Sequence, residues 1–386
     1  MNRARLLFVV ESGTDVRLVE GLAEHFDLRI LARKIEGGVA ISWPPSVEIP
    51  TTIGPSGRAA FAAFVLKEII RLKSEIDVIL VQGYSLAALA ANTAHQFIAT
   101  PVLMLVCSPV EAYYRCRLTH SNGRPYQTHE ALLLNFLARA NALTGQEYVV
   151  LSRHLEGVVR KHGGRHVHGI PLYGVDTALF SPPKKSKAEL KSQLNLPLEG
   201  TLIFFSSRVA PEKDSETLLR AVRHLLDSGH NLWLLHRSGG YRQFQSDAEW
   251  FGINERVIAT DAVHPHRELA LDYQACDICI QASREEGLGF SPLEALACGT
   301  TVIATAVGGL KETIVDGETG WTYPVGDDQK LAAQIVDVIA NPAQAARRAM
   351  NGRRMVCERF DRQFVFRQFA DLVAALTAAK SQEAHG

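Results

Sequence analysis

Short unbroken apolar runs alternate with helix-like stretches along most of the chain, and this alternation is the strongest constraint on its fold. Leu6–Val10, Leu28–Ala32, Val78–Val81, Val102–Val106 and Tyr148–Leu151 read as buried strands. Between them, Asp15–His25, Gly57–Ser74, Leu86–Ile98 and His129–Asn141 read as helices. A second set of strands begins at Leu202–Ser206, continues through Asn231–Leu235, Val257–Thr260 and Ile278–Gln281, and ends at Thr301–Ala304. Helices such as Ser215–Asp227, His266–Ala275 and Pro292–Ala297 separate its members. Strands without polar alternation suit a sheet covered on both faces, and helices between them make that sheet parallel. A chain of 386 residues is too long for one ordinary core. The expectation is therefore an α/β protein of two doubly wound, Rossmann-like domains. Their boundary falls around Thr177–Gly200, where Ser181-Pro-Pro-Lys-Lys-Ser-Lys is polar and proline-bearing.

Composition narrows the function classes. The 47% apolar fraction can supply two cores, and 41 basic residues balance 41 acidic ones, so no nucleic-acid partner is implied. The apolar run after Met-Asn-Arg-Ala-Arg stops at Glu11, too soon for a signal peptide, and no stretch approaches bilayer length. Six cysteines lack a framework spacing; Cys276 and Cys279 lie in a strand pattern rather than a zinc or redox site. A reducing cytoplasm is the expected location. Gly57–Lys73 mixes Phe61, Phe64, Val65, Ile69 and Ile70 with Arg58, Lys67, Arg71 and Lys73. Such a helix can dock on a membrane, but the same pattern commonly covers a sheet, and the second reading is preferred.

The chemistry concentrates at residues 283–305. Glu286 stands at the mouth of Gly287-Leu288-Gly289, and Glu294 follows eight positions later. Ser291 at an N-cap, Pro292 at the first helical position and Glu294 three residues after the cap would form a helix start. Free N–H groups and the positive end of the helix dipole would then face an anion, with phosphate the obvious candidate. Alone, Glu294 is no more than a capping arm and Glu286 a loop acid; their combination with the intervening glycines is more specific.

That combination resembles the E-x7-E signature of the retaining nucleotide-sugar glycosyltransferases of family 4, which have the GT-B fold with ligand bound between two Rossmann-like domains. Ser207-Arg208-Val-Ala-Pro-Glu-Lys213-Asp214 resembles the family's G-R-L-x-x-x-K-G element, with Ser207 and Asp214 in place of glycines. Asp214 or Ser215 would cap the following helix instead. Ile170–Pro182 resembles I-P-N-G-V-D-x-x-x-F-x-P, with Tyr173 for the common Asn. Val307-Gly308-Gly309-Leu-Lys-Glu312 and Asp316–Trp321 continue the pattern, so the likeness runs from about Ile170 to Gly326. On its own, the Gly308-Gly309 pair reads as a tight turn.

The resemblance implies an acceptor-side domain at 1–178, a donor-binding domain at 179–360 and a closing helix at 361–386 returning to the first domain. It implies that Arg208 and Lys213 bind the donor diphosphate, that Glu286 holds sugar hydroxyls and that Glu294 holds the ribose. Glu286, Arg208 and Lys213 form the expected catalytic set, with Gly13, Gly287, Leu288, Gly289 and Phe290 completing the donor site. Two fixed cations would stabilise the departing diphosphate without a metal, so neither cofactor nor metal is expected.

The first domain departs further from the family. Glu11-Ser12-Gly13-Thr14-Asp15 has one glycine where relatives have a pair, and it is not the G-x-G-x-x-G of dehydrogenases. Cys107 and Ser108 fall where many relatives carry His-Gly, whose His contacts the transferred sugar. Glu111, Tyr113, Arg115 and His120 follow, with His129 beyond; aromatic and guanidinium groups suit an acceptor site. The implied reaction is retaining transfer of a hexose or N-acetylhexosamine from a nucleoside diphosphate sugar, with UDP the expected base. The partners are this donor and an acceptor left open among glycan, lipid and small metabolite. A sugar phosphorylase, an epimerase or a non-catalytic sugar-nucleotide-binding subunit stays open beside it.

Overall fold

A computed structural model describes residues 3–35, 38–39, 48–120, 128–261 and 266–383. The chain divides into two compact units. Among the described residues, one lies within Met1–Glu111, Gln127–Gly174 and Arg362–Gly386, and the other within Ala112–Tyr126 and Val175–Asp361.

The first unit carries β1 (Arg5–Val10), β2 (Asp27–Ile35), β3 (Gly38–Val39), β4 (Thr51–Gly54), β5 (Val78–Gln82), β6 (Val102–Val106), β7 (Glu147–Val150) and β8 (His166–Gly169). They pair in the order β3-β2-β1-β5-β6-β7-β8, with β4 also on β2. All these pairings are parallel except β2 with β3. Leu6–Val10, Val78–Val81 and Val102–Val106 are buried, as strands covered by helices on both faces must be. The helix Arg58–Leu72 turns Phe61, Val65 and Ile69 into this core. Its sequence pattern thus serves a sheet-covering helix. The closing helix Arg362–Glu383 belongs to this unit, where Phe366 stacks on His25 and Phe369 meets Phe26 edge-on. A Cβ on Gly21 would lie 2.1 Å from the Phe366 ring, so the absence of a side chain there permits the contact.

The second unit holds β9 (Thr201–Phe205), β10 (Leu232–Arg237), β11 (Val257–Thr260), β12 (Ile278–Gln281), β13 (Thr301–Thr305) and β14 (Trp321–Tyr323), ordered β11-β10-β9-β12-β13-β14. Every pairing is parallel. Helix Ser215–Asp227 buries Leu218, Leu219, Val222 and Leu225 against this sheet. Each such side chain contributes roughly 1.5–3 kcal/mol relative to exposure. The polar stretch expected as a linker carries a helix of its own, Lys187–Gln193, started by a capping box between Ser186 and Glu189. Cys276 and Cys279 are buried and free. Among the described residues no helix is long and apolar enough to cross a membrane, and no group of three or more His, Cys, Asp or Glu could hold a metal ion.

Candidate active site

In the second sheet the chain steps outward from β9 to β11 and then returns to the other side of β9 as β12. The loops leaving β9 and β12 lie on either side of this reversal, beyond the strand ends where ligands bind in sheets of this kind, and they are joined there, with the Arg284 N–H donating to the Glu212 carbonyl at 2.9 Å. Residues 206–214 form one loop and 282–289 the other.

Glu286 is the centre of the second loop, and the fold surrounds it with donors. Its Oε2 accepts from Ser283 Oγ at 2.9 Å and Gln281 Nε2 at 3.1 Å, and it pairs with the Lys213 ammonium. Its Oε1 accepts from the Tyr113 hydroxyl at 3.1 Å. Burial first, and then the Glu286 charge, push the Tyr113 phenol well above its usual range, so it remains a donor. That hydroxyl also lies 3.4 Å from the Gly287 N–H. Gln281 is held in turn by Ser207, whose Oγ donates to its Oε1 at 3.0 Å.

The turn itself rests on the Gly308-Gly309 pair. A Cβ on Gly308 would sit 2.0 Å from the Glu286 carbonyl oxygen, and one on Gly309 would sit 2.2 Å from that of Gly287. Gly309 N–H donates to the Glu286 carbonyl at 3.0 Å. The pair is therefore more than a tight turn: two backbones meet there with no room for side chains.

The expected cations come from the first loop, each matched to a carboxylate. Arg208 pairs with the buried Glu212, Lys213 with Glu286, and Arg284 with Asp214. Asp214 precedes the helix Ser215–Asp227 with φ +44°, but its side chain makes no capping bond. It binds Thr217 Oγ1 at 2.8 Å and Arg284 instead. The left-handed backbone explains why glycine suits this position, and Asp is among the few other residues that tolerate it.

The helix after Glu286 differs from its expected start. It runs Phe290–Ala297 with Gly289 as N-cap at φ +90°, so Ser291 lies inside it and no capping box forms with Glu294. Gly289 can take a conformation costly for other residues, so the chain enters the helix before Ser291. Glu294 is buried, and its Oε2 lies 3.2 Å from the Tyr273 hydroxyl. Burial and the Glu294 charge keep Tyr273 protonated. Leu288 is buried, and Gly287 and Gly289 line the same turn.

The residues expected around the acceptor fall in both units. Cys107 lies in the first unit with Tyr173, Sγ to Oη 3.3 Å, and Gln82 Nε2 is 3.4 Å from that hydroxyl. Burial pushes the Cys107 thiol up to about 12, which leaves a neutral thiol rather than a thiolate. Glu111 stands 3.5 Å from His162, and Ser108 accepts from the Val110 N–H at 3.0 Å. Tyr113 falls in the second unit against Glu286, and Arg115 is exposed. The His120 and His129 side chains lie outside the described part of the structure. Gly13 is exposed in the first unit, and a Cβ there would meet nothing within 4 Å.

Residues 186–355 match the model of the family described as "Glycosyl transferases group 1". This segment is a glycosyl transferases group 1 domain. The chain is 34% identical over 217 residues to D-inositol 3-phosphate glycosyltransferase of Xylanimonas cellulosilytica, covering 53% of this chain and 51% of that protein. It is 28% identical to the GDP-mannose-dependent alpha-(1-6)-phosphatidylinositol monomannoside mannosyltransferase of Mycolicibacterium smegmatis, covering 54% of this chain and 56% of that one. It thus spans about half the length of these curated relatives. In three dimensions it matches sucrose-phosphate synthase of Thermosynechococcus elongatus with a TM-score of 0.77 at 23% identity, over 98% of this chain and all of that one. Anabaena HepE, solved in complex with UDP-glucose, gives 0.76 at 17%, over 97% of this chain and all of that one. The fold is GT-B, two Rossmann-like units.

Arg208, Lys213, Glu286 and Glu294 lie inside the group 1 domain, as do Ser207, which the motif shows only as a replaced glycine, and Gln281 and Ser283, which no motif marks. A polar Gln closing the apolar run Ile278-Cys-Ile, followed by Ser283, was the signal available for the last two.

Proposed function

We propose that this chain is a glycosyltransferase moving a hexose or N-acetylhexosamine from a nucleoside diphosphate sugar, with UDP as the base and with retention at the anomeric carbon. The observation that carries the reading is Lys213 against Glu286 at the strand reversal of a group 1 domain. The Anabaena neighbour bound to UDP-glucose supports a nucleotide-sugar donor and UDP, while the mycobacterial relative is named for GDP-mannose.

In this reading Arg208 and Lys213 bind the diphosphate, together with the start of helix Phe290–Ala297. The anion competes with Glu212 and Glu286 for those cations, and the helix dipole favours the exchange. Charge building on the leaving diphosphate then meets two fixed cations, which stabilise it most where water is excluded. Glu286 accepts from sugar hydroxyls and Glu294 from the ribose. Glu286 is not a covalent nucleophile here; the acceptor attacks on the face the diphosphate leaves.

Thermal shift with UDP-glucose, GDP-mannose and ADP-glucose tests the reading, because a ligand of the folded state raises its melting temperature. Slow donor hydrolysis should accompany binding and be lost in Glu286→Ala and Arg208→Ala. No shift with any nucleotide, or hydrolysis unaltered in both variants, sinks it.

A further inference from the structure

We propose that Gln281, anchored by Ser207, is a positioning residue that reserves one oxygen of the Glu286 carboxylate for a ligand hydroxyl. The inference rests on the assignment of Glu286 to the donor sugar.

A carboxylate offers about four acceptor sites, two on each oxygen. Glu286 Oε2 is crowded by three donors: Lys213, Ser283 Oγ at 2.9 Å and Gln281 Nε2 at 3.1 Å. Oε1 takes the Tyr113 hydroxyl at 3.1 Å, the one bond it makes among the described residues. The asymmetry leaves Oε1 with room for a further donor and gives Oε2 a structural task.

Gln281 creates the asymmetry. Its amide nitrogen donates both to Glu286 and to Ser283 Oγ at 2.7 Å, which frees the Ser283 hydroxyl to point its own hydrogen at the carboxylate. Its amide oxygen accepts from Ser207 Oγ at 3.0 Å. Ser207, Gln281, Ser283 and Glu286 are all buried. An amide flip would turn its oxygen toward a carboxylate in a place where water cannot compensate, so orientation is strongly held. Thr305 Oγ1 anchors the Ser283 carbonyl at 2.6 Å, tying the network to the end of β13. Ser207 stands where the resemblance has a glycine, which could not make the anchoring bond.

The test compares wild type with Gln281→Leu and Ser207→Ala by calorimetric titration. The probes are the best-binding of UDP-glucose, GDP-mannose and ADP-glucose, and the matching nucleoside diphosphate. The diphosphate should bind Gln281→Leu within about threefold of wild type, while preference for the sugar-bearing form falls about tenfold, as losing one oriented hydrogen bond predicts. Ser207→Ala should fall between the two. Equal weakening of both probes, the signature of a packing defect, overturns the inference, and so does an unchanged preference. A ligand-free thermal cycle of Gln281→Leu, Glu286→Gln and the double variant must show non-additive melting shifts; additive shifts also overturn it. If wild type binds no probe, the functional reading fails, and the thermal cycle still decides whether Gln281 holds Glu286.

Discussion

Substituting Gly308 with alanine isolates the backbone contact that holds the Glu286 turn. Gly308 has φ +45°, and its added Cβ would lie 2.0 Å from the Glu286 carbonyl oxygen. The left-handed conformation alone costs a non-glycine residue about 1–2 kcal/mol. The overlap is with backbone, not with the end of a flexible side chain, so the turn must move, and overpacking of this sort adds about 1–3 kcal/mol. The expected loss is about 3 kcal/mol. Two controls separate the contributions. Gly317→Ala, at φ +81° with open space, should lose about 1–2 kcal/mol through conformation alone. Gly13→Ala, with neither constraint, should stay within about 0.5 kcal/mol of wild type. Urea denaturation followed by circular dichroism measures all three, and nucleotide-sugar affinity should fall in Gly308→Ala. The reasoning is refuted if Gly308→Ala is no more damaging than Gly317→Ala.

Further outcomes follow from buried charges. Asp272 is buried beside Arg237 Nε at 3.3 Å, and burial raises its carboxyl to about 7, with Arg237 opposing and Glu268 adding to the rise. A carboxyl raised on folding lends stability that is fully present below its ordinary pKa and is lost as pH rises through about 7. Between pH 4 and pH 8, wild type should therefore lose at most about 4 kcal/mol relative to Asp272→Asn, read as the pH dependence of the difference in urea midpoints; a constant difference would count against the assignment. Asp214→Gly should destabilise by about 2 kcal/mol despite relieving the left-handed backbone, because Arg284 and Thr217 lose their buried partner. A more stable variant in thermal melts would show that the backbone term dominates.

The central strands of both sheets were legible because burial on both faces leaves uninterrupted apolar runs such as Leu6–Val10 and Ile278–Ile280. Two peripheral strands were not, although the edge strand β11 was: β8 reads His-Val-His-Gly, and β14 is three residues long. Ser291 and Pro292 form a capping signature that predicts a later helix start, but its use depends on the φ of Gly289, and the helix begins at Phe290. At Asp214 the capping reading failed for a related reason, since its carboxylate answers to Arg284, 70 residues away in sequence.

The α/β class, the loops that carry Arg208, Lys213, Glu286 and Glu294, and the separation of two cores can all be read from the chain before it folds. These follow from local periodicity and from motifs read within one loop at a time. Which side chains share a carboxylate is set only in the folded chain. Tyr113 and Glu286 are 173 residues apart, Ser207 and Gln281 are 74 apart, and Gly308 meets the Glu286 carbonyl through its backbone alone. The Ser207–Gln281 contact comes from the parallel pairing of β9 with β12, which brings two distant strand ends to one place without marking either in the local sequence.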